Sequence, residues 1–117
     1  MSKDLQSQRA FSPCLVLMTV SSEDEAKAIA TQLVNERLVA CANFFPIQSI
    51  YRWNNEICHE PEWQLVLKTD MSHFGTLKNR AIALHSYDVP EIITLPIADG
   101  YAPYIAWMKQ ETRPCSP

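Results

Sequence analysis

Two side chains in this sequence have the chemistry of ligands for a soft or borderline metal ion. Cys41 opens the segment "CANFFPIQSIYRW", and His85 sits in "ALHSYDVPEIITLPI", where a helix-like pattern stops. A thiolate suits Cu(I), and an imidazole suits copper or zinc. Each residue also has a plainer use. Free cysteine at a strand start behaves as a small buried hydrophobe. Histidine at a helix end is favoured as a cation by the helix dipole, or bonds a backbone carbonyl. Asp88 or Glu91 could orient His85. Cys58-His59 resembles another ligand pair, but neighbours on a strand point to opposite faces. Cys14 and Cys115 read as lying near loose ends, where they could scavenge metal or oxidise. No C-x-x-C occurs, so no structural zinc module is indicated. "MSKDLQSQRAFSP" has no apolar centre and does not read as a secretory leader, so the cysteines are expected to stay reduced in a cytoplasmic setting.

Glu62, Lys68 and Glu91 form a second candidate group. Lys68 alternates with apolar residues, so its ammonium needs a partner if it is buried. Capture of an anion or small ligand, and a salt bridge between subunits, both fit this group. Trp53, Trp63 and Trp107 read as core or interface aromatics. A stacking platform for nucleic acid would need a basic patch, and the formal net charge is −3. The same balance disfavours an anionic membrane as partner. No apolar run approaches the roughly 18 residues needed to span a bilayer. Gly75 and Gly100 are the only glycines, so no phosphate-cradling loop exists, and neither G-x-S-x-G nor H-E-x-x-H appears. A Cys41–His85 pair could assemble in space, but nothing in the sequence requires it, and no enzymatic activity is expected.

These groups must be held by a small set of elements. The 117 residues, 47% of them hydrophobic and 20% charged, fit a single domain over residues 13–112. Residues 1–12 and 113–117 read as flexible tails. "CLVLMTV" is an apolar run expected to form a buried central strand. Ser22 and Glu25 form a capping box for a helix whose face is Ala26, Ile29, Ala30 and Leu33, with Leu38 completing it. Residues 41–57 change to a period of two, and Asn54-Asn55 suits a tight hairpin turn. The return arm is "ICHEPEWQLVLKT". Pro46 and Pro61 predict edges or bulges, because proline cannot donate to a ladder. A second helix carries Phe74, Leu77, Ala81 and Leu84, with Ser72 as its cap. Pro90 forces Val89 out of the helical region before the strand "EIITLPI". Asp99-Gly100 turns the chain, and Pro103 opens a last helix containing "YIAWMK". The order β-α-β-β-α-β plus a C-terminal helix predicts an α+β, ferredoxin-like split βαβ fold, an antiparallel sheet with helices on one face.

Lengths then matter. A helix of about 15 residues covers ~22 Å. A hairpin arm of about 13 residues could reach ~43 Å. Roughly half of each arm therefore outreaches helical cover, carrying Ile50, Tyr51, Trp53 and Ile57. An apolar ribbon with free edges invites pairing, which predicts a homo-oligomer held by sheet edges. A hairpin folding back over its own sheet is the alternative.

Taken together, "NERLVACANFFPIQSIYRWNNEI", "EWQLVLKT", "HSYDVPEIITLPI" and "YIAWM" resemble the CutA family of divalent-ion tolerance proteins, over roughly residues 14–110. The resemblance implies a cytoplasmic homotrimer similar to that of P-II signalling proteins, and a link to copper or other divalent metals without an organic cofactor. Carried over by position, it implies functional roles for Cys41, Trp53, Glu62, Lys68, His85, Tyr87, Pro90, Glu91 and Trp107 near clefts between subunits. Metal would fall to His85 and Cys41, and small-ligand contacts to Lys68, Tyr87, Glu91, Glu62, Trp53 and Trp107. The family's usual H-P-Y reads H-S-Y here, with Ser86 in place of proline. Met18 and Leu84 stand where some members have a cysteine and the first of two histidines. A P-II-like module holding an anionic metabolite near Lys68 and His85, and a stable scaffold acting through a protein partner, are the alternatives to metal binding.

Overall fold

The computed structural model describes residues 11–114. Of the expected tails 1–12 and 113–117, residues 1–10 and 115–117, with Cys115, lie outside the described residues. The chain runs β1 (Pro13–Val20), α1 (Glu23–Asn35), β2 (Cys41–Trp53), β3 (Glu56–Asp70), a 3-10 turn (Met71–His73), α2 (Phe74–Leu84), β4 (Ile92–Pro96) and α3 (Ala102–Glu111). The four strands form one antiparallel sheet in the order β2-β3-β1-β4. This is the expected ferredoxin-like arrangement.

The sheet has two unlike faces. Cross-strand partners share a face, so the register Met18↔Leu65, Val16↔Leu67 and Phe44↔Leu65 places these residues together. They meet Ala26, Ile29 and Leu33 of α1 and Leu77 and Ala81 of α2 in one core. On the other face lie Leu15, Leu17, Phe45, Val66, Ile93 and Leu95, half-buried or exposed. Thus β1 is central as expected, but within one chain helices cover only one of its faces. Cys14 is fully buried in β1 rather than loose at a chain end, because its side chain falls on the covered face.

Local chemistry explains the joints. Ser22 Oγ accepts from the Glu25 N–H at 3.1 Å, and Glu25 returns a bond to the N–H of Ser21. Helix α1 ends at Asn35, earlier than the reading that carried it to Leu38. Arg37 takes φ 60°, its N–H reaches the Val34 carbonyl, and that of Leu38 reaches Leu33. This is a Schellman ending with arginine where glycine is usual, so no glycine marked it. Leu38 still joins the core, beyond the helix end. Ser72 does not cap α2. Asp70 caps the preceding 3-10 turn, accepting from the Ser72 N–H and Oγ.

The hairpin is a long, continuously paired ribbon. Asn54 and Asn55 both adopt positive φ, 51° and 64°, which is the two-residue turn that matches strand twist. Pairing is continuous from Cys41↔Lys68 to Trp53↔Glu56, so the prolines mark edges and not bulges. Among the described residues, strand β2 has no partner on its outer side. Strand β3 loses β1 beyond Trp63, which frees the side where Pro61 sits. The chain therefore measures 55 × 29 × 25 Å. Its radius of gyration of 15.8 Å exceeds the roughly 13 Å of a compact domain of similar length. Helix α3 packs chiefly on β1 and β3 through the buried Met108, and Arg37 bonds the Glu111 carbonyl.

Candidate functional site: an acidic aromatic cleft

The segment after α2 carries the site. Helix α2 stops at Leu84 because His85 is extended, φ −81° and ψ 145°. The His85 side chain is fully buried. Its Nδ1 lies 3.0 Å from the Tyr87 N–H, which can only donate. Nδ1 must therefore accept, and Nε2 donates to the Thr19 carbonyl at 2.7 Å. Both nitrogens of a neutral ring are used. The carboxylate beside it is that of Glu25, 3.8 Å from Nδ1, rather than Asp88 or Glu91.

Glu25 is the clamp of this segment. It accepts from the Ser86 N–H at 2.9 Å and Ser86 Oγ at 3.0 Å, and from the N–H and Oγ of Ser21. Burial pushes the Glu25 carboxyl up, but the hydrogen bonds from Ser86 and Ser21 outweigh it and hold the group below the usual carboxylate range. A proline at position 86 has no N–H and could not make the first of these bonds. Ser86 thus replaces the restraint of a proline ring with a pair of hydrogen bonds.

Tyr87 then crosses to the face away from the helices. Its hydroxyl donates to Glu62 Oε2 at 2.7 Å. Glu62 is only 7% exposed. Two positions along β3 and on the same face, Glu60 accepts from the Tyr51 hydroxyl. This bond pushes the Tyr51 phenol up to about 12, and burial followed by the Glu62 bond pushes Tyr87 up as well. These groups line a cleft of about 670 Å³ with Trp53, Asp88, Val89 and Glu91. Four of its lining residues are carboxylates, and among the described residues no lysine or arginine lines it.

The residues singled out in the sequence fall in three places. Glu62, Tyr87, Glu91 and Trp53 share the cleft, with His85 buried behind it. Cys41 and Lys68 face each other at the base of the hairpin, where Lys68 Nζ reaches Asn43 and lies 3.9 Å from Cys41 Sγ. Trp107 stacks near Tyr104 on α3, ring centroids 5.4 Å apart. Six positions along β3 separate Lys68 from Glu62, about 20 Å. The polar trio of Glu62, Lys68 and Glu91 is therefore split within one chain.

Copper does not fit the donors that the described residues of one chain bring together. His85 has no free nitrogen, and His85 bonds Thr19, whose partner Gln64 lies four positions from Lys68, roughly 13 Å along β3 from the level of Cys41. Among the described residues no three of His, Cys, Asp and Glu converge to hold an ion. Cys58 pairs with Tyr51 near the hairpin tip, ten positions along β3 from the level of Cys41, so these two thiols cannot bridge in one chain.

Sequence reasoning missed Tyr51 and Glu60 as site residues, and it assigned Glu25 to capping alone. The alternation Glu60-x-Glu62, in phase with Tyr51 across the hairpin, was the available signal.

The chain matches the family described as CutA1 divalent ion tolerance protein over residues 14–111. It is 48% identical over 99 residues to the divalent-cation tolerance protein CutA of Thermus thermophilus, covering 84% of this chain and 96% of that protein. It is 37% identical over 109 residues to the chloroplastic protein CutA of Arabidopsis thaliana, covering 92% of this chain and 60% of that longer relative. The solved Cut A1 structure from Thermus thermophilus superposes with a TM-score of 0.84 at 47% identity, over 86% of this chain and 99% of the other. The periplasmic divalent cation tolerance protein CutA of Archaeoglobus fulgidus gives 0.85 at 31% identity, over 86% and 99%. With its element order, strand order and near full-length match in agreement, this chain belongs to the CutA1 divalent ion tolerance protein family.

Proposed function

We propose that this protein is a cytoplasmic, non-catalytic homotrimer that contributes to tolerance of divalent metal ions, copper among them. The observation that carries this reading is the family match across residues 14–111. Self-association is supported by the outer hairpin, where Ile50, Trp53 and Ile57 are each more than half exposed beside unpaired strand edges. Three free thiols among the described residues, one of them fully buried, suit a reducing compartment. Because the described residues of one chain gather no ligand set, the reading places no resident ion among them. Cys41 is the partly accessible soft donor, and His85 can join it only by giving up Tyr87 or Thr19. The test is growth of a host lacking its own copy, with and without this gene, on graded copper, zinc and cobalt, alongside light scattering of the purified chain. Equal sensitivity to every metal would remove the tolerance role, and a monomer would remove the trimer.

A small-ligand module of the P-II type is the second reading, favoured by the cleft. Its carboxylates repel the anionic metabolite first expected there, since Lys68 lies at the other end of the hairpin.

A further inference from the structure

The Asp99-Gly100 turn is used by neither the metal reading nor the cleft. Of all the aspartate and asparagine residues in the chain, Asp99 alone is followed by glycine. The pair lies between β4, which ends at Pro96, and α3, which begins at Ala102, and both residues are exposed. No helix or strand holds them. Among the described residues, no salt bridge or cap draws the Asp99 carboxylate to another element. Asp70, by contrast, is tied to Ser12 and Ser72. Asp99 Oδ1 accepts only from the N–H of the next residue, Gly100, at 2.8 Å. A carbonyl carbon lies about 1.2 Å from its oxygen, so Asp99 Cγ stands within about 4 Å of the nitrogen with which it could close a five-membered ring.

Gly100 is not required by its backbone angles, since no glycine among the described residues takes a positive φ. It gives room. A Cβ at this position would come within 2.8 Å of Ile105 Cδ1 in α3. Without a Cβ the Gly100 nitrogen is unshielded, and the backbone there is the most permissive a chain can have. Helix α3 depends on this stretch for its start. The Tyr101 carbonyl accepts from the N–H groups of Tyr104 and Ile105, both at 3.0 Å. No side chain caps the helix, and Met108 is its one buried residue.

We propose that Asp99-Gly100 is a site of spontaneous isoaspartate formation, and that this modification loosens α3. The Gly100 nitrogen attacks Asp99 Cγ in the acid form of the carboxyl. A C–N bond forms, the Cγ–OH bond breaks, and the hydroxyl leaves as water with the amide proton. The cyclic imide then takes up one water. Opening at Cγ returns aspartate. Opening at the main-chain carbonyl leaves the chain running through Cβ and Cγ, with a free α-carboxylate. The water lost is regained, so no oxidant or other reagent is consumed. The rearranged main chain is longer by one methylene two residues before Tyr101, which moves Gly100 off Ile105 and displaces the carbonyl that starts α3. The new α-carboxylate is the group that a methyltransferase specific for isoaspartate esterifies, which makes such an enzyme the partner of the aged protein.

The test is incubation of the full-length reduced protein for weeks at neutral pH and physiological temperature. Isoaspartate is counted by methyl transfer from S-adenosylmethionine with a protein isoaspartate methyltransferase, and located by peptide mapping. Hydrogen exchange of fresh and aged samples reads α3. Methyl acceptance should rise with age and map to Asp99 without a change in mass. It should fall by about tenfold or more in Gly100→Ala, which shields the nitrogen, and in Asp99→Glu, which would have to close a six-membered ring. Both positions are exposed, and the Ile105 Cδ1 that the alanine would meet is the free end of a side chain, so these variants keep the fold. Amides of α3 should exchange several-fold faster in the aged fraction, with β1 unchanged. Absence of isoaspartate at Asp99, or equal amounts in Asp99→Glu, overturns the proposal. So does methyl acceptance carried wholly by Asn54 or Asn55, which deamidation would reveal by a gain in mass. Unchanged exchange of α3 in the modified fraction overturns the link to the helix.

Discussion

The two halves of the long hairpin obey the same alternation and meet opposite fates. Near its base, Leu65 and Leu67 are fully buried beneath α1 and α2. Toward its tip, Ile50 is 67% exposed and Ile57 58%. Ile50 and Ile57 keep the phase of Leu65 and Leu67, although Gln48, His59 and two prolines intervene on that face; the cover is what differs most. Helix α1 has 13 residues and spans about 20 Å. Strand β3 has 15 and spans about 50 Å. The core closes where Trp63 meets Phe44 edge-on, ring centroids 6.0 Å apart. Beyond that point apolar side chains contribute nothing to the fold of one chain until something else covers them.

The largest effect expected from this contrast is at the base. Leu65→Ala leaves a cavity in the core and should cost about 2–5 kcal/mol, read by urea denaturation. A loss no greater than that of a surface substitution would mean that the base is not the core.

A smaller effect is expected where the clamp ties α1 to the cleft. Glu25→Gln removes a charged acceptor of four hydrogen bonds and should cost about 1–3 kcal/mol. Its pH signature is distinctive. The folded carboxyl sits below its unfolded value of 4.5, so this stabilisation is complete above that value and is lost as pH falls through the folded one. Denaturation midpoints from about pH 6 down to about pH 3 should show a shallower acid fall in Glu25→Gln. An unchanged slope would place the acid-sensitive contact elsewhere.

At the tip the stability of the chain should barely move. Ile57→Lys is expected to shift it within about 0.5 kcal/mol, yet lower the mass found by light scattering. Retention of the full mass would show that assembly does not use the hairpin tip. The smallest effect separates the cysteines. Burial pushes the Cys14 thiol up and shields it, whereas Cys41 and Cys58 are partly exposed. Mass spectrometry after brief thiol labelling should find Cys41 and Cys58 modified and Cys14 intact; rapid labelling of Cys14 would show that β1 opens locally.

Much of the architecture was legible in residue order. The period-two arms, the Asn54-Asn55 turn and the Ser22 cap each act within a few residues, so spacing reveals them; the second helix instead stops at Leu84, before the break expected at Pro90. The first helix was read too long because Arg37 occupies a left-handed position with no glycine to announce it. The site was legible only in parts. Glu62, Tyr87, Glu91 and Trp53 do meet, but Lys68 and Cys41 were grouped with residues that the register carries far away.

By itself, the sequence determined the elements, their order and the length mismatch that leaves the hairpin uncovered, since all three follow from local periodicity and fixed rise per residue. Only the tertiary structure decided that His85 Nε2 finds the Thr19 carbonyl, that Ser86 finds Glu25 and that Tyr87 finds Glu62. Those bonds join residues as many as 66 positions apart. No spacing rule encodes them, because the partners are chosen by how the helices and strands pack and not by their distance along the chain.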